Sequence, residues 1–169
     1  MAAAATGPLP ISPERCSARG ENFWNGSETD TYLHYCRFMT ASPHSYPIGI
    51  DPADIDFMGH VNNATYLKWV QDAVVSHWQK LAPAEAVARH LWVALKHEIT
   101  YRKPAFLDDE VMASVVLEKV HGARASFETL IKRGEEVLAE VKSSWCCLDA
   151  ATLRPARIAQ DVAARFFKE

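Results

Sequence analysis

The ten residues Asp54-Ile-Asp-Phe-Met-Gly-His-Val-Asn-Asn63 gather two carboxylates, a glycine, an imidazole and two carboxamides just ahead of a strongly amphipathic stretch. A carboxylate can act as a nucleophile or as a general base. The free N–H groups and positive dipole end of a helix N-terminus can stabilise a carbonyl oxygen as it gains negative charge. A polar loop aimed at a helix start is therefore a place to hold a reacting carbonyl. Asp54 and Asp56 also have a second reading, as loop residues that close Asx turns. Asn62 or Asn63 suits the N-cap position, and Gly59 suits special backbone geometry or a close substrate approach. Competing chemistries lack their signatures. The chain has no GxSxG elbow, no HExxH, no glycine-rich phosphate loop and no His/Cys/Asp cluster at metal-ligand spacing, so no metal is expected.

The elements that must position this loop can be read from periodicity. From Ala64 to Leu81, Leu67, Val70, Val74, Trp78 and Leu81 recur at steps of three and four, with Tyr66, Trp69 and Ala73 widening the stripe. A helix over 64–81 follows, mostly buried, about 27 Å long at ~1.5 Å per residue and stopped by Pro83. Ahead of the loop, residues 46–51 suggest a short strand that Pro47 confines to an edge or a strand start. Leu91 to Arg102 alternates, with Leu91, Val93, Leu95, His97, Ile99 and Tyr101 on one side, and His97 reads as a satisfied core histidine. Three further strands, Val111–Val120, Ala125–Lys132 and Val137–Leu148, are joined by short turns and imply an antiparallel meander. Asp161–Phe167 suggests a short helix. One helix and about five strands make an α+β fold, a curved antiparallel sheet wrapped around a central helix. The outer sheet face and a sheet edge are left to invite a second subunit.

Of 169 residues, 49% are hydrophobic and 23% charged, which fits one globular domain rather than a disordered or membrane chain. A net charge of −3 gives no electrostatic reason for a nucleic-acid partner, and no apolar run approaches the ~18 residues of a membrane span. Residues 1–45 show no sustained period and read as a flexible extension, with 46–169 as the folded domain; Met39 is an alternative start of the chain. The N-terminus lacks a basic region and a long apolar run, so a cytoplasmic location is expected. Cys16, Cys36, Cys146 and Cys147 form no CxxC and read as free thiols.

The run Asp54–Leu67 resembles the active-site loop and helix start of hotdog-fold acyl-CoA thioesterases of the 4-hydroxybenzoyl-CoA thioesterase type. Tyr101-Arg-Lys-Pro-Ala-Phe-Leu-Asp-Asp109 is similar to the Tyr-x-x-Pro-Ala bend of those proteins, and Trp145 to Pro155 to their last strand. The resemblance spans roughly residues 46–160. It implies a hotdog fold and hydrolysis of an acyl-CoA to acid and CoA, with Asp56 as the catalytic carboxylate. Backbone amides around Val61 to Asn63 are then the oxyanion site, with Gly59, His60, Val61, Asn62 and Asn63 positioning the substrate. Tyr66 is a candidate for the acyl pocket, and Arg102, Lys103 and Arg124 for the CoA phosphates. Plant acyl-carrier-protein thioesterases carry an asparagine where this chain has Met58, which separates it from that pattern and leaves the role of His60 open. The CoA thioester is substrate and no cofactor is implied; a homodimer or homotetramer is. The alternative is a hotdog protein that binds an acyl-CoA without cleaving it.

The chemistry suits these residues. A thiol pKa near 8.5 means the departing thiolate needs little help from an acid. One carboxylate plus an oxyanion site suffices.

Overall fold

In the computed structural model, which describes residues 40–41 and 43–168, the central helix starts where the sequence places it. The Asn62 side chain accepts the Ala64 N–H at 2.8 Å as N-cap, and the helix runs over Asn63–Leu81 to the Ala82 cap, next to Pro83. In chain order the elements are β1 (Thr40–Ala41), β2 (His44–Ile48), a 3-10 turn (Pro52–Asp54), α1 (Asn63–Leu81), α2 (Ala84–Arg89), β3 (His90–Tyr101), β4 (Val111–His121), β5 (Arg124–Arg133), β6 (Glu136–Asp149), α3 (Gln160–Ala164) and β7 (Phe167–Lys168).

Strands β2 to β6 form one antiparallel sheet in the order β2-β4-β5-β6-β3. The meander holds for β4 to β6. β3 pairs with β6 instead of its sequence neighbour β4, because the 102–110 connection carries the chain across the sheet end. The strand expected over 46–51 is β2, which begins at His44, two residues earlier, ends at Ile48 and lies at the sheet edge, as Pro47 requires. α2 was not foreseen, and residues 167–168 pair with β1 instead of extending a helix. Residues 1–39, with Cys16, Cys36 and Met39, lie outside the described residues.

α1 buries Tyr66, Trp69, Val70, Ala73, Val74, His77 and Trp78 against the inner sheet face. That face carries Val111, Ala113, Val115, Leu117, Phe127, Ile131, Val141, Trp145 and Cys147. This is the helix-wrapped sheet of a hotdog fold. Two details correct the sequence reading. Leu67, placed on the apolar stripe, is 40% exposed, because the core face centres on the rings of Tyr66 and Trp69. In β3 the pairing slips between Ala94 and Lys96. The bulge adds one residue and inverts the facing of the strand. Trp92 and Ala94 point inward before it, His97 and Ile99 after it, so Leu91, Val93 and Leu95 form an outward apolar row 47%, 45% and 51% exposed.

Some buried polar atoms lack partners: both His77 ring nitrogens, the Trp78 and Trp92 indole nitrogens, Thr129 Oγ1 and His97 Nδ1, so His97 is not the satisfied histidine expected. Cys146 is half-buried and Cys147 buried, both free, and burial pushes the Cys147 thiol up to about 12. Among the described residues no helix is long and apolar enough to cross a membrane.

Candidate active site

The polar loop is a pinched hairpin. Ile55 and Val61 face each other in an antiparallel bridge. Asp56 N–H donates to His60 O at 2.9 Å and Asn62 N–H to Asp54 O at 2.8 Å. Between them Gly59 takes φ 81°, a left-handed conformation that glycine adopts without Cβ strain. Gly59 N–H closes the turn onto Asp56 O at 3.0 Å.

The two aspartates have separate roles. Asp54 is a clasp. Its Oδ2 accepts the Asp51 N–H at 2.9 Å and its Oδ1 faces Thr65 Oγ1 at 3.5 Å, tying the 3-10 turn to the first turn of α1. Asp56 holds a backbone amide on one oxygen and faces an imidazole with the other. Its Oδ1 accepts the Met58 N–H at 2.8 Å, an Asx turn, while Oδ2 lies 3.5 Å from His60 Nδ1. The side chain retains 12% of its accessible surface. His60 Nδ1 also lies 3.3 Å from Val61 O. A ring nitrogen facing a carbonyl and a carboxylate is the one that carries the proton, which leaves Nε2 as the acceptor.

The backbone amides redirect the oxyanion expectation. Val61 N–H donates to Ala105 O and Asn62 N–H to Asp54 O, both at 2.8 Å. Neither is free to polarise a substrate. The Asn63 and His60 N–H groups have no hydrogen-bond partner among the described residues. Asn63 is the first residue of α1, where an amide has no intrahelical acceptor and feels the dipole's positive end.

The Tyr101–Asp109 bend braces this junction, and sequence reasoning assigned it no site residue beyond the basic pair Arg102 and Lys103. Tyr66 is buried, so it backs the loop from within the core. Its hydroxyl accepts the Ala105 N–H at 3.2 Å. Tyr101 Oη donates to Asn63 O at 2.9 Å. Asp109 Oδ2 accepts the Phe106 N–H at 2.8 Å and pairs with Arg133 at 2.6 Å, fixing the far side of the bend. The Tyr-x-x-Pro-Ala spacing was the available signal, since it sets Tyr101 at the end of β3 and Ala105 in the bend that follows.

The three basic candidates are not brought to one place. Arg102 pairs with Glu140 at 3.1 Å and Lys103 with Glu136, both beside the bend. Arg124 opens β5, whose other end, Arg133, is the one beside the bend. A ten-residue strand separates the two groups by ~30 Å. Among the described residues no group of three or more His, Cys, Asp or Glu side chains is placed to hold a metal ion.

Comparison with known proteins agrees with this architecture. A family model described as the thioesterase-like superfamily matches residues 50–166. The long-chain acyl-CoA thioesterase FadM of Escherichia coli (strain K12) is 28% identical over 105 residues, covering 58% of this chain and 77% of that protein. A thioesterase from Thermus thermophilus, crystallised with coenzyme A and zinc, superposes with a TM-score of 0.63 at 24% identity, over 72% of this chain and 90% of its own. A 1,4-dihydroxy-2-naphthoyl-CoA thioesterase from Synechocystis gives a TM-score of 0.60 at 17% identity, over 74% and 96%.

Proposed function

This chain belongs to the thioesterase-like superfamily, and we propose that it hydrolyses acyl-CoA thioesters to the free acid and CoA, with the thioester as substrate and no cofactor of its own. The observation that carries this reading is the pairing of a carboxylate whose Oδ2 faces only the His60 imidazole, Asp56, and an unpartnered N–H at the first residue of α1, Asn63, on one loop-to-helix junction. The thioester oxygen accepts from the Asn63 amide, with the His60 amide as a second donor. Asp56 then works by one of two routes. As a nucleophile, its oxygen bonds to the carbonyl carbon, the C–S bond breaks and water cleaves the resulting anhydride. As a general base, it takes a proton from the attacking water and the thiolate leaves directly. Loss of one oxyanion donor typically costs about 2.7–4 kcal/mol of barrier, so an amide already spent inside the protein, such as Val61, cannot be a substitute.

Long aliphatic acyl groups are the favoured substrates. The loop tip presents Phe57 at 96% and Met58 at 61% exposure, apolar area that an acyl chain would cover at ~25 cal/mol per Å², and the relative FadM is a long-chain acyl-CoA thioesterase. Thiol release from a panel of acetyl-, hexanoyl-, palmitoyl- and benzoyl-CoA tests the function. Release above the uncatalysed rate, fastest with palmitoyl-CoA, is expected. Binding of all four with no release would replace the hydrolase by an acyl-CoA carrier or sensor.

The working unit is at least a homodimer. β3 is an edge strand of 12 residues with an outward apolar row, the kind of edge that natural sheets cover. Sedimentation velocity should give a dimer or tetramer, and Val93→Lys should shift it toward monomer. A monomeric wild type at micromolar concentration would refute this.

A further inference from the structure

Tyr101 is built into the junction more firmly than the fold requires. Its hydroxyl donates to Asn63 O at 2.9 Å, a carbonyl in the first turn of α1 that α-helical pairing already satisfies. Removing this second donor would leave no carbonyl unsatisfied, since the helix already pairs it. What it does fix is the backbone of the residue whose N–H is free. The ring stands at 89° to Tyr66, centroids 5.3 Å apart, and Tyr66 is held in turn by Ala105. Tyr101 sits on the strand face that is half-buried at His97 and Ile99, yet is itself 42% exposed. Phe106 and Leu107, five and six residues along, are similarly open at 45% and 42%. Val61 N–H on Ala105 O ties that bend to the loop bearing Phe57 and Met58. A partly open aromatic residue therefore stands against the first turn of α1, with apolar side chains on the two segments that meet there.

We propose that Tyr101 is a positioning and specificity residue of the thioesterase site: its hydroxyl holds the Asn63 carbonyl, on the peptide that follows the free amide, and through the Asn63 Cα steadies that amide for the oxyanion, and its ring forms the apolar surface on which the acyl chain rests next to the carbonyl. This rests on the acyl-CoA hydrolase reading. The two parts separate experimentally. Tyr101→Phe keeps the ring and removes the hydroxyl. Tyr101→Leu removes both.

The experiment measures kcat and KM of wild type and both variants with palmitoyl-CoA and acetyl-CoA, with melting curves alongside. For Tyr101→Phe, kcat falls about tenfold on both substrates while KM stays within about twofold, as expected when only transition-state alignment is lost. For Tyr101→Leu the same loss of kcat is joined by a rise in KM of about fivefold or more for palmitoyl-CoA, and none for acetyl-CoA. Unchanged kinetics in both variants of an active enzyme overturn the role of Tyr101 and leave the hydrolase reading intact. So does a loss of activity matched by an equal loss of folded protein. A wild type that cleaves neither substrate removes the reading and this inference together.

Discussion

Asp56→Asn lowers kcat for acyl-CoA hydrolysis by about 10³-fold, within the usual range for loss of an acid–base or nucleophilic group, and leaves the protein folded. The substitution is informative because the geometry separates structure from chemistry at this one side chain. Oδ1 accepts the Met58 N–H, and the carbonyl oxygen of asparagine can keep that bond and with it the Asx turn. The oxygen toward His60 is the one exchanged. It becomes an NH₂ group, which neither attacks a carbonyl nor takes a proton from water. The imidazole can answer by moving its proton to Nε2, so that the new amide N–H meets an acceptor at Nδ1. Thiol release should collapse while the melting temperature and CoA affinity stay near wild type. An asparagine variant with full activity would move the catalytic role away from Asp56. By contrast, Asp54→Asn disturbs a clasp of two contacts and is expected to act on stability before activity.

The second large effect is on stability in acid. His77 is completely buried between the sheet and α1, stacked on His44 at 5.2 Å and flanked by Phe127 and Phe166, with neither ring nitrogen hydrogen-bonded. Burial, with smaller contributions from His44 and Lys80, pushes it down to about 4 from its ordinary 6.5. Between those values the unfolded chain binds the proton and the folded chain does not, so stability rises with pH there. The contribution is complete above pH 6.5 and is lost as pH falls toward 4, about 3 kcal/mol at ~1.36 kcal/mol per pH unit. His44 is shifted in the same direction by burial and then by Lys80, and adds to the effect. That is a large part of a typical total of 5–15 kcal/mol. Urea unfolding from pH 7.5 to 4 should show a steep loss below pH 6.5, and His77→Phe, which fits an aromatic neighbourhood and cannot be protonated, should flatten it. The same slope in the variant would place the acid sensitivity elsewhere.

The sequence carried the helix and the polar loop because both are local. The 3.6-residue period of 64–81 and the asparagine before it depend on neighbours in the chain, and Asn62 caps α1 as read. Register in β3 was not local. Alternation runs unbroken in sequence from Leu91 to Tyr101, but the extra residue at the bulge reverses which side faces the helix, and only pairing with β6 reveals it. The free amides were hidden for a related reason. Val61 and Asn63 differ in availability through a bond from Val61 to Ala105, a backbone contact made between distant segments and encoded by neither side chain. His77 escaped notice because a polar residue between Val74 and Trp78 does not break the apolar stripe. The fold places it inside all the same.

The Val61–Ala105 bond has a kinetic meaning as well. It fastens the base of the reactive hairpin to the bend, while Tyr101 fastens the first turn of α1 to the same strand end. The carboxylate and the free amide therefore belong to one preorganised body, whose ordering entropy is spent during folding. For the proposed hydrolase, substrate binding would then have only the acyl chain and the exposed hairpin tip left to order, and the reacting centre would meet its ligand already assembled.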